Sequence, residues 1–129
     1  MDLNQHTEKF GDYYLLKQIA SSGIADIYIA MPEETSKRGN LCIIKKIKEE
    51  FSADKRFIVM LIDEAKISAL LDHPNIGEIY DLGYVKNDFF ISMAYIEGKN
   101  LSNLLAFLNN KQEKIYPDIA IYIMLQILN

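Results

Sequence analysis

Two oppositely charged residues, Lys45 and Glu64, lie at positions where the surrounding pattern favours apolar side chains. Lys45 belongs to the run 41–47, which is rich in isoleucine and predicts a strand, because β-branched side chains suit a pleated, buried surface. Side chains two residues apart share one face of a strand, so Lys45 faces the same way as Ile43 and Ile47. A lysine among large aliphatic side chains is costly unless its ammonium group meets an anion. The strand therefore predicts an anion beside Lys45.

Glu64 is an acidic residue suited to supply that anion. The segment 54–71 predicts a helix, along which a mostly apolar stripe recurs at three- and four-residue steps. The stripe consists of Phe57, Leu61, Glu64, Ser68 and Leu71. Two opposite charges, each unfavourable on its own apolar face, stabilise each other when they pair. We therefore predict an ion pair between Lys45 and Glu64.

Both residues also have an ordinary structural interpretation. Lysines often end strands and extend to water, and we expect Lys46 to do so. A solvated helix acid is the alternative for Glu64, as we expect for Glu49, Glu50 and Asp63. The apolar neighbours of Glu64 favour the paired interpretation.

The elements that would position this pair are mostly strands joined by short turns. The polar stretch 32–40 contains Pro, Gly and Asn, which is typical of a hairpin loop. In addition to the strand 41–47, the sequence predicts strands at 13–17, 26–31, 78–85 and 89–95. In addition to the helix 54–71, it predicts helices at 101–109 and 119–128.

Five motifs follow one another in an order that a known family shares. Residues 19–30 correspond to a glycine-rich loop with its flanking strands, and Ile43-Ile44-Lys45 corresponds to a Val-Ala-Ile-Lys strand. Asp63-Glu64-Ala65 corresponds to a helix glutamate, and His73-Pro74-Asn75-Ile76 to the turn after that helix. Residues 92–98 correspond to the hinge. Lys45 and Glu64 are 19 residues apart (64 − 45). Residues 10–129 thus resemble the amino-terminal part of a bacterial eukaryotic-type serine/threonine protein kinase, in which such a pair holds the phosphates of ATP.

The resemblance implies an α+β fold. Its amino-terminal lobe would have a five-stranded antiparallel sheet and one helix, and two helices would follow. The implied divisions are a polar lead at 1–9, the lobe and hinge at 10–96, and an incomplete start of the carboxy-terminal lobe at 97–129.

The resemblance also implies a site for ATP, with Lys45 and Glu64 as the catalytic pair. Met93 would be the gatekeeper, while Ala94 and Ile96 would offer backbone groups to the adenine edge. The implied ATP-binding residues are Ile19, Ala20, Ser21, Ser22, Gly23, Ile27, Ile43, Lys45, Met93, Ala94 and Ile96. Asn100 has two interpretations, a ribose contact or the N-cap of the helix that begins at Leu101.

The loop departs from the family's Gly-x-Gly-x-x-Gly pattern. Ala20, Ser22 and Ala25 occupy its three glycine positions, and Gly23 lies outside them. Ser22 is the main departure, because the middle position would lie closest to the phosphates. The alternative is an ordinary hairpin turn with Gly23 at its bend. Ile43, in place of a small alanine, narrows the roof over the adenine.

The two motifs that complete such an enzyme, His-Arg-Asp and Asp-Phe-Gly, do not occur in these 129 residues. They supply the base for the substrate hydroxyl and the magnesium ligands, so magnesium is expected only in a complete kinase. The sequence therefore favours a truncated, ATP-binding portion of a serine/threonine kinase that is inactive in isolation. The alternatives are a non-catalytic kinase-like (pseudokinase) binding module and an unrelated small α+β domain.

Composition excludes several other classes of protein. Half of the residues are hydrophobic and the net charge is −4, which argues against extensive disorder and against nucleic-acid binding. The single Cys42 and the polar start favour a cytoplasmic location, and the absence of a long apolar run predicts no membrane segment within these 129 residues. His6 and His73 do not form a metal site.

The predicted helix from Ile119 to Leu128 is apolar on nearly every side. Only Tyr122 and Gln126 interrupt its aliphatic surface. Since a helix of this kind belongs inside a larger structure, we expect the isolated chain to self-associate, to aggregate, or to need a separate polypeptide.

Overall fold

Ten secondary-structure elements follow one another in the computed structural model, which describes residues 7–34 and 40–129. The strands are β1 (Glu8–Phe10), β2 (Tyr13–Ser21), β3 (Ala25–Pro32), β4 (Cys42–Ile47), β5 (Ile79–Val85) and β6 (Asp88–Ala94). The helices are α1 (Glu49–Ser52), α2 (Lys55–Ala69), α3 (Leu101–Asn110) and α4 (Pro117–Leu128). The predicted loop 32–40 and the polar lead 1–9 lie partly outside the described residues.

The six strands form one antiparallel sheet with the order β1-β2-β3-β4-β6-β5. The predicted α+β architecture is confirmed, with one strand more than expected at the edge and a short additional helix. The extra strand β1 turns back at Gly11, whose φ of +56° is accessible to glycine. It pairs with β2 and buries the side chain of Phe10. Burial of the Phe10 side chain, rather than its polar neighbours, stabilises this strand.

Hydrophobic side chains cover both faces of the sheet. On one face the cluster consists of Phe10, Leu15, Ala30, Cys42, Ile44 and Phe90. On the other face, which we call the α2 face, the cluster consists of Ala25, Ile47, Ile58, Leu61, Ala65 and Ile91. Because both faces are occupied, alternate residues of β4 all find apolar neighbours.

Helix α2 begins with a side-chain cap and docks by a narrow apolar stripe. Asp54 accepts hydrogen bonds from the N–H groups of Arg56 at 2.9 Å and Phe57 at 3.3 Å, which satisfies donors that a helix start leaves free. The buried residues of α2 are Ile58, Leu61 and Ala65.

The predicted stripe is only partly correct. Leu61 is buried and Phe57 and Ser68 are half-buried, but Glu64 and Leu71 are exposed. The reason is that residues 57–62 are all apolar, so a stripe through Ile58 and one through Phe57 compete for the core.

The chain divides into two units, Met1–Tyr95 and Ile96–Asn129. In the second unit, Asn100 Oδ1 accepts a hydrogen bond from the N–H of Asn103 at 2.8 Å, so Asn100 is the N-cap of α3. Helix α4 begins with Pro117, a favourable first helical residue. Among the described residues, no helix combines the length and the apolar character that crossing a membrane requires.

Candidate functional site

Lys45 lies in the middle of β4 and is half-buried. It is directly opposite Ile27 of β3 and Ile91 of β6, and Ile91 belongs to the cluster beneath α2. Since directly opposed residues of antiparallel strands share a face, the Lys45 side chain lies on the α2 face.

Other predicted site residues lie on the same sheet face. Ile43 is directly opposite Met93 of β6, and Met93 packs against the cluster beneath α2. Ala20 of β2 is directly opposite Ile27. The register therefore places Ala20, Ile27, Ile43, Lys45 and Met93 on four adjacent strands, β2, β3, β4 and β6, with their side chains on one face.

Besides Glu64 and the loop residues 21–23, three predicted site residues lie outside this row of five side chains. Ala94 is paired with Cys42, so its side chain points to the other face, although its backbone is at the end of β6. Ile19 is 47% exposed. Ile96 is 71% exposed and begins the second unit.

Glu64 is exposed on α2, and the predicted ion pair is not formed in this structure. Within residues 7–34 and 40–129, ion pairs closer than 4.0 Å join Lys9 to Glu33 and Lys46 to Asp88, but none joins Lys45 to Glu64. The prediction of the pair is wrong for this conformation, because α2 docks through Ile58, Leu61 and Ala65 and leaves Glu64 beside the buried stripe. A solvated carboxylate avoids the desolvation cost that an inward position would impose.

Lys46 has a structural role that the sequence did not reveal. Its Nζ lies 3.1 Å from Asp88 Oδ2 and 5.3 Å from the centroid of the Phe10 ring. The expectation that Lys46 extends freely to water is therefore wrong. The extra strand β1 brings Phe10 under this side of β4, and Asp88, the first residue of β6, supplies the carboxylate.

The loop between β2 and β3 is closed by hydrogen bonds of Ser22. The Ser22 N–H donates to the carbonyl of Ala25 at 2.8 Å, and the Ser22 hydroxyl lies 3.1 Å from that same oxygen. Ser22 Oγ also accepts from the N–H groups of Ile24 and Ala25. This role has a sequence signal, a hydroxyl residue at the middle glycine position, but the hydrogen-bond partners follow only from the fold.

Gly23 does not need to be glycine in this conformation. Its φ lies outside the left-handed region, and a Cβ added there would meet no heavy atom within 4 Å. Ser21, the residue before Ser22, is also held by a hydrogen bond, since its hydroxyl donates to Asp26 Oδ1 at 2.6 Å. The loop is thus held by serine hydroxyls rather than shaped by glycine.

Cys42 is not suited to act as a nucleophile. It is a free, buried thiol, and burial raises its pKa above the ordinary value of 9.0. The thiol therefore stays protonated at neutral pH, whereas the thiolate is the reactive form.

Sequence comparison identifies the class of protein to which this fold and site belong. The profile of the family described as "Protein tyrosine and serine/threonine kinase" matches residues 14–129. The chain belongs to this protein kinase family. The match covers β2 from its second residue onward and every later element through α4, but not β1.

Particular relatives narrow the resemblance to bacterial kinases. The chain is 33% identical over 119 residues to the serine/threonine-protein kinase PrkC of Bacillus subtilis, covering 92% of this chain and 17% of PrkC. It is 26% identical over 118 residues to the tyrosine-protein kinase MasK of Myxococcus xanthus, covering 92% of this chain and 18% of MasK. The chain therefore spans less than a fifth of the length of these two relatives.

Solved structures support the same fold. A crystal structure of the PknI kinase domain of Mycobacterium tuberculosis matches with a TM-score of 0.75 and 19% identity, covering 94% of this chain and 46% of that domain. At this identity the match shows the fold, and the predicted kinase-like amino-terminal lobe is confirmed.

Proposed function

We propose that this chain is an ATP-binding portion of a serine/threonine protein kinase. The observation that carries the proposal is the half-buried Lys45 on the same sheet face as Ile27, Ile43 and Met93. An ammonium group beside an apolar surface suits a ligand that has an anionic end and a flat apolar end, as ATP has. Family membership and the likeness to PrkC support the choice of nucleotide.

Four residues of this row have a role in the proposal. Lys45 binds phosphate oxygens. Its ammonium group is available for this contact because no described residue forms an ion pair with it within 4.0 Å. Ile27 and Ile43 contact the adenine ring, with Ile19 adding apolar surface from β2. Met93 limits the depth of the site, and the backbone groups of Ala94 read the adenine edge.

Phosphoryl transfer to protein hydroxyls is proposed for a complete kinase and not for these residues alone. Within the described part of the chain, no three His, Cys, Asp or Glu side chains are grouped so that they could hold a metal ion. We therefore propose no magnesium site among these residues. We expect the isolated chain to bind ATP and to transfer no phosphate.

The test measures ATP binding by titration calorimetry. We expect Lys45→Met to weaken ATP binding about 10- to 100-fold, because a hydrogen bond between charged groups contributes about 1.5–3 kcal/mol. Lys66→Met is the matched control, since it removes the same charge from an exposed position of α2. Lys46→Met is less suitable because it also breaks the ion pair with Asp88.

Two results would contradict the proposal. Equal effects of Lys45→Met and Lys66→Met would remove Lys45 from the site. Labelled phosphate incorporated by highly purified chain, and lost in Lys45→Met, would show that the isolated chain is active after all.

A second candidate function is a non-catalytic kinase-like binding module. The absence of an ion pair between Glu64 and Lys45 among the described residues favours it, because an active kinase has this lysine–glutamate pair. Glu64→Gln separates the two candidates. If ATP binding draws Glu64 to Lys45, the substitution weakens ATP binding severalfold; if affinity is unchanged, the module is favoured.

A further inference from the structure

Ser22 engages backbone donors of the loop that joins β2 to β3. Ser22 Oγ accepts hydrogen bonds from the N–H of Ile24 at 3.3 Å and from the N–H of Ala25 at 3.1 Å. The Ser22 N–H simultaneously donates to the Ala25 carbonyl at 2.8 Å. The loop thus satisfies two of its own N–H groups with its own hydroxyl.

These N–H groups are the kind of donor that a phosphate group would need. Backbone N–H groups of successive loop residues form anion-binding concavities, and the loop at this place in a kinase covers the phosphates of ATP. A phosphate oxygen that approaches Ile24 and Ala25 must displace Ser22 Oγ before it can bind either N–H.

We propose that Ser22 is an internal competitor of the nucleotide's phosphate groups and sets how strongly the site prefers ATP over adenosine. The inference rests on the proposed function, since it assumes a nucleotide beneath this loop. Adenosine has no phosphate, so its affinity does not depend on whether these donors are engaged. ATP affinity is reduced by the free energy needed to break the two internal hydrogen bonds.

Gln18 provides a control that lies outside the predicted ATP-binding residues. Its Nε2 donates to Asp26 Oδ1 at 3.2 Å and to the carbonyl of Ala20 at 3.5 Å. Gln18 is therefore hydrogen-bonded beside the loop but not to the N–H groups of Ile24 and Ala25. Removing its amide group breaks hydrogen bonds next to the loop without releasing those donors.

The experiment compares the dissociation constants of ATP and adenosine for the unmodified chain and its variants. We expect Ser22→Gly and Ser22→Ala to raise the preference for ATP over adenosine about five- to 150-fold, which corresponds to about 1–3 kcal/mol for the two internal hydrogen bonds together. Ser22→Thr, which keeps the hydroxyl, should retain the original preference, and Gln18→Ala should leave it unchanged.

Hydrogen exchange of the backbone N–H groups tests the same inference without a ligand. In Ser22→Ala, exchange at Ile24 and Ala25 should become faster, while exchange in the middle of β4 stays the same. Unchanged exchange at both residues would overturn the competitor role even if nucleotide affinities shifted.

The two proposals fail in different ways. If ATP binds and responds to Lys45→Met, but Ser22→Gly and Ser22→Ala leave the preference unchanged, the inference about Ser22 is wrong and the proposed function stands. If neither the unmodified chain nor Ser22→Gly binds ATP or adenosine, both are wrong.

Discussion

At the scale of single residues, β4 places two adjacent lysines on opposite faces of the sheet. Lys45 lies on the α2 face beside Ile27 and Ile91, whereas Lys46 lies on the other face, paired with Asp88 and near the Phe10 ring. Adjacent strand residues point to opposite faces, so the two neighbours meet different surroundings. Of these two lysines, Lys45 forms no ion pair with a described residue, which supports its proposed role in binding a ligand.

Two glycines differ sharply in what their positions require. A Cβ at Gly83 would overlap the buried ring of Phe90, so we expect Gly83→Ala to lower the free energy of unfolding by about 1–3 kcal/mol. Gly23 has open space and an ordinary φ, so Gly23→Ala should be neutral or stabilising by up to about 1 kcal/mol. Urea titration of both variants measures the difference.

The result for Gly23 also bears on the loop. A large loss of stability in Gly23→Ala would mean that the loop needs glycine after all, as a phosphate-binding flap of the usual pattern would. Equal stability of Gly83→Ala and the unmodified chain would mean that Phe90 does not pack as described.

At the scale of elements, α2 offers a direct test of its orientation. Leu61 is buried against the sheet, while its neighbour Met60 is 61% exposed. Leu61→Ala should lower the free energy of unfolding by about 2–5 kcal/mol. Met60→Ala should change it by no more than about 0.5 kcal/mol, because it removes few buried contacts.

Denaturant unfolding of these two variants distinguishes the possible helix faces. If Met60→Ala lowered the free energy of unfolding as much as Leu61→Ala, α2 would be rotated from the orientation described, and Glu64 would face a different direction. The expected contrast instead supports an exposed Glu64 in the ligand-free chain.

At the scale of the whole molecule, α4 presents an apolar surface. Its large aliphatic residues are mostly exposed: Ile119, Ile121, Met124, Leu125, Ile127 and Leu128 range from 46% to 77%. Burying one such side chain contributes roughly 1.5–3 kcal/mol, so several exposed ones favour association.

We predict that the isolated chain self-associates or aggregates at roughly tens of micromolar, a range in which exposed apolar surface drives association. Deleting residues 119–129 should restore solubility and leave the sheet and α2 folded. The double variant Ile121→Glu and Leu125→Lys, which keeps α4 but makes its surface charged, should have the same effect. Sedimentation velocity measures both. A monomeric unmodified chain at that concentration would contradict the prediction and imply that another part of the molecule covers α4.

The sequence by itself determined the order and type of most elements and the side of the sheet on which Lys45 lies. These features depend on local periodicity, which steric alternation within a strand enforces. The predicted strand 41–47 corresponds closely to β4, and the predicted helix 54–71 to α2. The family followed as well, because its motifs are short segments in a fixed order.

Only the tertiary structure decided which face of α2 is buried, whether Lys45 meets Glu64, and what Ser22 Oγ binds. Residues 57–62 are apolar without a break, so the sequence allows several stripes, and contact with the cluster around Ile47 and Ile91 selects one of them. The strand β1 arose in the same way, since polar Glu8 and Lys9 give no strand signal and burial of Phe10 against the sheet fixes their place. Packing free energy depends on neighbours that are distant in sequence, so a local sequence pattern could not predict these features.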